Sequence, residues 1–232
     1  MLILGFAKTT LLDYPEHVAA TIFTGGCNFR CPFCHNGQMV LNPASMERID
    51  EEEIIAHLIK RKNVLEGVCI TGGEPTLQAD LSDFIRGIKD MGYLVKLDTN
   101  GTHPEKLKEL IDEKLIDYVA MDVKNCQSKY ALTAGCNDTL VSKVMESIDL
   151  LKQGFVDYEL RTTVVRELHS KEDLFELEAH VLNTPSDKEI LDELKAKDDE
   201  IQKEKDKLNE ELKELVKRFF KSKKTSKKKK IR

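Results

Sequence analysis

GVCITGGEPTLQADLSDFIRGIKDMGYLVKLDT, residues 67–99, contains one full turn of the pattern that decides the fold. It opens on a short apolar run (GVCIT) and passes through a glycine-rich turn. Apolar residues then recur at helical spacing over 80–91, and a second strand-like run, YLVKLDT, closes the segment. Short apolar runs between turn residues read as buried strands, and the 3.6-residue spacing reads as helix. Strand, helix and strand in this span make a β-α-β unit, whose crossover sets the two strands parallel.

The alternation continues on both sides. Residues 17–23 (HVAATIF), 118–123 (YVAMDV) and 158–165 (YELRTTVV) read as further strands, and 50–62, 104–114, 139–152 and 171–182 as further helices. Pro104 suits the first turn of its helix, where a missing N–H costs nothing. The predicted fold class is α/β with a parallel sheet. In such sheets functional side chains gather beyond the carboxyl ends of the strands.

Length and charge set the boundaries. The chain has 232 residues, 41% hydrophobic and 33% charged, enough for one medium domain and an appendage. No apolar run reaches the ~18 residues of a membrane-spanning helix, and the opening MLILGFAKTT lacks the basic flank of a secretory signal. A cytoplasmic protein is expected. The net charge of −5 hides two unlike parts: residues 186–232 hold 17 Lys/Arg and 12 Asp/Glu, whereas the preceding residues hold 19 and 29. The composition boundary predicts a core domain over residues 1–182 and a charged helical tail over 183–232. The acidic body argues against nucleic acid as its main partner. In the tail, Leu194, Ile201, Leu208 and Leu215 repeat every seven residues, with Leu191, Leu212 and Phe219 at the companion position. Asp198 and Lys205 interrupt that seam, which predicts a long charged helix able to form a weakened coiled coil. The terminal KSKKTSKKKKIR is expected to be disordered by charge repulsion.

The chemistry begins with cysteine. Six in a reducing compartment argue against a disulfide framework. Three crowd into CNFRCPFC, as Cys27, Cys31 and Cys34, directly after the first predicted strand and the Gly25-Gly26 pair. Thiolates gathered by a tight loop suit a metal centre, and three of them leave one corner of a four-iron cluster without a protein ligand. The alternative is a zinc knuckle with His35 as fourth ligand. Cys69 reads as core, and Cys126 and Cys136 as free thiols flanking a loop after the fourth predicted strand. Three further groups end predicted strands. Gly72-Gly73-Glu74-Pro75 offers close backbone approach and a carboxylate for an ammonium group. Asp98 and Thr99 end one run, Asp122 and Lys124 the next, and the two acids would form a negative pocket for a cation or ammonium group. The plainer reading makes those acids helix caps or turn formers, Arg161 a salt-bridged strand residue and His169 an exposed loop residue.

The C-x3-C-x2-C spacing, with Phe33 before the third cysteine, resembles the radical S-adenosylmethionine (SAM) enzymes. The wider string from Tyr14-Pro15-Glu16 to Cys34-His35-Asn36 resembles the glycyl-radical-enzyme activases, and looks most like the branch serving anaerobic ribonucleoside-triphosphate reductase. The resemblance covers about residues 1–179 and rests on an ordered set of motifs. It implies a partial (β/α)6 open barrel carrying a [4Fe–4S] cluster on Cys27, Cys31 and Cys34, with SAM beside it. It also implies that Gly72, Gly73 and Glu74 hold the SAM amino group, and that Phe33 packs on the cluster or adenine. Asp98, Thr99, Asp122 and Lys124 would contact SAM and a monovalent cation, while Arg161 and His169 would reach the SAM carboxylate or ribose.

The activity implied is reductive cleavage of SAM to a 5′-deoxyadenosyl radical, which generates a glycyl radical on a partner enzyme. Anaerobic ribonucleotide reductase is the implied partner, and flavodoxin or ferredoxin the implied electron donor. Other readings are an activase of a different glycyl radical enzyme, a small-molecule radical SAM enzyme, a zinc-binding interaction module, and a non-catalytic relative. After about His180 the chain departs from the family, because NTPSDKEILDELKAKDDE stands where a further strand is expected. The last strand of the barrel therefore reads as missing or replaced.

Overall fold

A computed structural model describes residues 1–181 and 195–213. A six-stranded sheet runs in sequential order: β1 (Ile3–Thr10), β2 (Ala19–Thr24), β3 (Gly67–Gly72), β4 (Leu94–Thr99), β5 (Tyr118–Asp122) and β6 (Asp157–Arg161). β1 pairs antiparallel with β2, and every later pair is parallel. The helices are α1 (Gly37–Leu41), α2 (Glu51–Arg61), α3 (Leu81–Asp90), α4 (Pro104–Asp112), α5 (Gln127–Ala134), α6 (Asp138–Leu151) and α7 (Lys171–Val181). This is an α/β partial barrel, with five parallel strands among the described residues.

The parallel strands are apolar runs because both faces are covered. Val68, Cys69 and Ile70 of β3, Val95 and Leu97 of β4, and Val119, Ala120 and Met121 of β5 are all fully buried. Helix α3 shows how a crossover is held down. Leu81, Phe84, Ile85 and Ile88 form one buried stripe, and each such side chain contributes about 1.5–3 kcal/mol by leaving water. Pro104 occupies the first turn of α4, as its ring geometry favours.

Four elements, the five-residue α1 among them, depart from the sequence reading. β1 is missing from it, because Gly5, Lys8, Thr9 and Thr10 break the apolar run and two register shifts destroy the alternation along ILGFAKTT. The predicted strand 158–165 is shorter at its far end: the ladder stops at Arg161, whose carbonyl accepts from Val123 N at 2.8 Å. The predicted loop between Cys126 and Cys136 is instead α5, with Cys126 before its first residue and Gly135 at φ +61° closing it. That helix is eight residues long and buries only Tyr130, Thr133 and Ala134, too little to leave a periodic signature.

One compact unit spans Met1–Leu177 and a second Glu178–Arg232. In the second, residues 195–213 are helical, with Ile201, Leu208 and Leu212 exposed. Leu191, Leu194, Leu215, Phe219 and the terminal Lys-rich stretch of the sequence reading lie outside the described residues. No helix among the described residues is long and apolar enough to cross a membrane.

Candidate functional site

The carboxyl ends of β2 to β5 open onto one cleft with about 780 Å³ of empty space, open to solvent on one side. Cys27, Cys31, Cys34, Phe33, Gly72, Gly73, Asp98, Thr99, Asp122 and Lys124 all line it. Residues separated by nearly a hundred positions are thus brought together by strand topology. Glu74, Arg161 and His169 of the sequence reading are not in the lining.

The cysteine loop is clamped from below. Gly73 approaches so closely that a Cβ there would sit 1.9 Å from the Gly26 carbonyl oxygen, and the next N–H, that of Glu74, donates to that oxygen at 2.8 Å. Gly72 adopts φ +118°. Gly73 is therefore required by backbone contact with the cysteine loop, and Gly72 by its positive φ and by the β2 backbone at Thr24. On its other side the loop rests on α5. Arg30 N donates to Ala134 O at 2.9 Å, and Phe29 packs edge-on against Tyr130 with ring centroids 6.2 Å apart. Asn36 holds the far end by donating from Nδ2 to Gly72 O at 2.8 Å.

Glu74 lies behind the cleft lining. It is fully buried and accepts from Thr76 N at 3.1 Å, Thr76 Oγ1 at 2.5 Å, Thr99 Oγ1 at 2.8 Å and Asn100 N at 2.6 Å. Burial pushes its carboxyl pKa up, and these four donors oppose the shift. The carboxylate expected to receive an ammonium group is thus engaged by donors of the protein itself. Around it, Asn100 Nδ2 donates to Asn28 Oδ1 at 2.8 Å, and Asn28 Nδ2 to Thr102 Oγ1 at 2.8 Å. Sequence reading missed Asn28, Asn36 and Asn100 as functional groups. The only signal for Asn100 is Asn-Gly directly after a strand.

Charge collects on the opposite wall. Arg161 contacts Asp98 at 3.2 Å and Asp122 at 3.1 Å, and reaches Glu159 at 3.8 Å. Lys96, almost fully buried, pairs with Asp98 at 2.5 Å, and Lys124 with Asp122 at 3.0 Å. The expected negative pocket is thus bridged by three cations. Arg161, expected to reach a ligand carboxylate, is engaged by both acids. His169 is buried, with Nε2 2.8 Å from Lys124 O and Nδ1 3.1 Å from Val165 N, so it ties the loop after β6 to the loop after β5.

The thiols shape the remaining chemistry. Burial pushes the Cys27 thiol up to about 11, against the pull of the Phe29 N–H, and burial raises Cys31 despite the nearby Lys124. Among the described residues, no three Cys, His, Asp or Glu side chains converge on the volume of a single ion. The zinc alternative with His35 finds no such convergence. Three thiols lining one cleft are the donor set that a four-iron cluster with one open corner takes.

The radical SAM superfamily profile matches residues 21–181. The chain belongs to the radical SAM superfamily. A Methanocaldococcus jannaschii protein named as a glycyl-radical enzyme activating enzyme is 39% identical over 75% of this chain and 72% of its own length. The pyruvate formate-lyase-activating enzyme of Clostridium pasteurianum is 31% identical over 50% of this chain and 49% of that enzyme, so the chain spans about half of it. In fold, Streptococcus suis SuiB bound to its precursor peptide SuiA gives a TM-score of 0.56 at 16% identity, covering 70% of this chain and 36% of that one. The superfamily works with a [4Fe–4S] cluster and SAM, and the present residues fit both. Three thiols line the cleft, no fourth cysteine does, and the side-chain-free Gly72-Gly73 wall leaves backbone open to a ligand.

Proposed function

We propose that this chain is the activase of a glycyl radical enzyme, with anaerobic ribonucleotide reductase as the partner. The observation that carries the reading is the meeting of Cys27, Cys31, Cys34, Gly72-Gly73 and the Asp98–Lys124 wall in one cleft. Cys27, Cys31 and Cys34 would hold the cluster. Asp98, Thr99, Asp122, Lys124 and Phe33 would line the SAM site, with the Gly72-Gly73 backbone facing the methionyl end. When bound, cluster and SAM supply reductive S–C cleavage to a 5′-deoxyadenosyl radical, with the electron drawn from flavodoxin or ferredoxin.

The chain's own work is positioning and exclusion of water. The clamp beneath Cys27 fixes the loop through the Gly73–Gly26 contact. Arg161 neutralises Asp98 and Asp122 at rest, so an entering ammonium or carboxylate exchanges one ion pair for another and desolvates no lone charge. The open side of the partial barrel admits a protein loop bearing the target glycine. Support comes from the similarity to two activating enzymes. The test is anaerobic reconstitution with iron and sulfide, followed by SAM, dithionite and the candidate reductase. Formation of 5′-deoxyadenosine with a glycyl doublet in the partner's electron paramagnetic resonance (EPR) spectrum is expected. 5′-Deoxyadenosine without the doublet would reject that partner, and absence of both would reject the activity.

A further inference from the structure

The side chain of Asn100 has its orientation fixed by its oxygen. Oδ1 accepts from Thr102 N at 3.0 Å and from Thr102 Oγ1 at 2.7 Å, so the amide cannot be turned over without losing both donors. The nitrogen therefore points the other way. Nδ2 donates to Asn28 Oδ1 at 2.8 Å and reaches Cys27 Sγ at 3.8 Å with its second hydrogen. Asn100 is buried, and its own N–H is held by Glu74 Oε2 at 2.6 Å. The Cys27 sulfur also receives the Phe29 N–H at 3.4 Å, whereas Cys31 Sγ faces the Ala134 carbonyl at 3.5 Å. Cys27 and Cys31 are thus unequal: two N–H groups approach the Cys27 sulfur, which also lies 4.0 Å from Asn28 Oδ1.

We propose that Asn100 is a positioning residue that donates an N–H···S hydrogen bond to the Cys27 thiolate and raises the reduction potential of the cluster bound there. The proposal rests on the radical SAM reading of the cleft. On reduction, one electron enters from an external low-potential donor; no bond forms or breaks and no proton moves. The added negative charge spreads onto the cysteine sulfurs, so an N–H donor stabilises the reduced state more than the oxidised one. Glu74, which spacing alone would assign to the ligand, serves this bond by anchoring the Asn100 backbone.

The test is an anaerobic redox titration, followed by EPR, of the reconstituted full chain and of Asn100→Ala. At equal iron and sulfide content, a more negative midpoint in Asn100→Ala is expected, and an unchanged midpoint overturns the proposal. Asn100→Asp keeps the acceptor for Thr102 but loses the donor and adds charge, so it should shift further in the same direction. Should the variants fail to hold a cluster, the wild-type chain decides by electron–nuclear double resonance with ¹⁵N in its asparagine amides. Asn28 Nδ2 is turned to Thr102 and Asn36 Nδ2 to Gly72 O, so a coupled amide nitrogen supports Asn100, and its absence overturns the assignment. A wild-type chain that takes up no cluster would sink the radical SAM reading itself, an outcome distinct from a cluster whose potential ignores Asn100.

Discussion

The two walls of the cleft are made of different materials. Around Cys27, Glu74, Thr76, Thr99, Asn100, Asn28 and Thr102 form a buried network of short hydrogen bonds built around one carboxylate. Beside it, Lys96, Asp98, Arg161, Asp122 and Lys124 form a chain of alternating charge that runs from buried Lys96 to Arg161 and Asp122, each a little over a third exposed. A buried, satisfied network is costly to disturb, because each broken partner leaves a polar group without water. Ion pairs near solvent are cheap to exchange. The first wall suits a fixed metal corner, and the second suits a charged ligand that must enter and leave.

The largest effect is expected at the three thiols that would hold the cluster. Cys31→Ala should abolish cluster binding, read as iron content after anaerobic reconstitution; full retention would break the ligand assignment. Next is Gly73→Ala, whose Cβ has backbone at 1.9 Å and no flexible side chain to displace. The turn and cysteine loop must separate, at about 1–3 kcal/mol or more in urea unfolding, together with loss of cluster uptake. Glu74→Gln should cost about 1–3 kcal/mol, since either amide orientation turns an NH₂ toward groups that now donate to a carboxylate oxygen. Arg161→Gln tests the other wall. The guanidinium is about a third exposed, so urea unfolding should show a loss of about 1 kcal/mol or less. A loss equal to that of Glu74→Gln would erase the distinction between the walls.

The smallest effect lies outside the cleft, at the start of α7. Ser170 and Asp173 bond reciprocally there, and Lys129 pairs with Asp173 at 2.7 Å. The Lys129 pair, joined by the Ser170 N–H, holds the Asp173 carboxyl at about 2. A carboxyl pKa depressed on folding adds stability that is present above the ordinary value near 4 and is lost as pH falls toward 2. Asp173→Asn should lower stability above about pH 4, where the wild-type carboxylate is charged, and its difference from wild type should vanish as pH falls toward 2, flattening that part of the acid unfolding curve.

Legibility in the sequence follows the same division. Parallel strands buried on both faces leave continuous apolar runs, so β2 to β5 and the residues at their ends could be read directly. A bulged, half-polar edge strand such as β1 and an eight-residue helix such as α5 leave no such record. The cysteine spacing and paired glycines were legible because the backbone itself demands them. The direction of the Glu74 side chain was not, since a turn fixes where a residue stands and leaves its rotamer to its neighbours. The bridging of Asp98 and Asp122 by Arg161 joins three separate strands, a relation that only the parallel register reveals.

The most direct test of the central claim is metal analysis and EPR of the oxygen-free, reconstituted full chain before and after SAM is added. About four iron and four sulfide per chain are expected, with a reduced-cluster signal that changes on SAM binding. Zinc in place of iron, or an iron–sulfur signal indifferent to SAM, would contradict that claim.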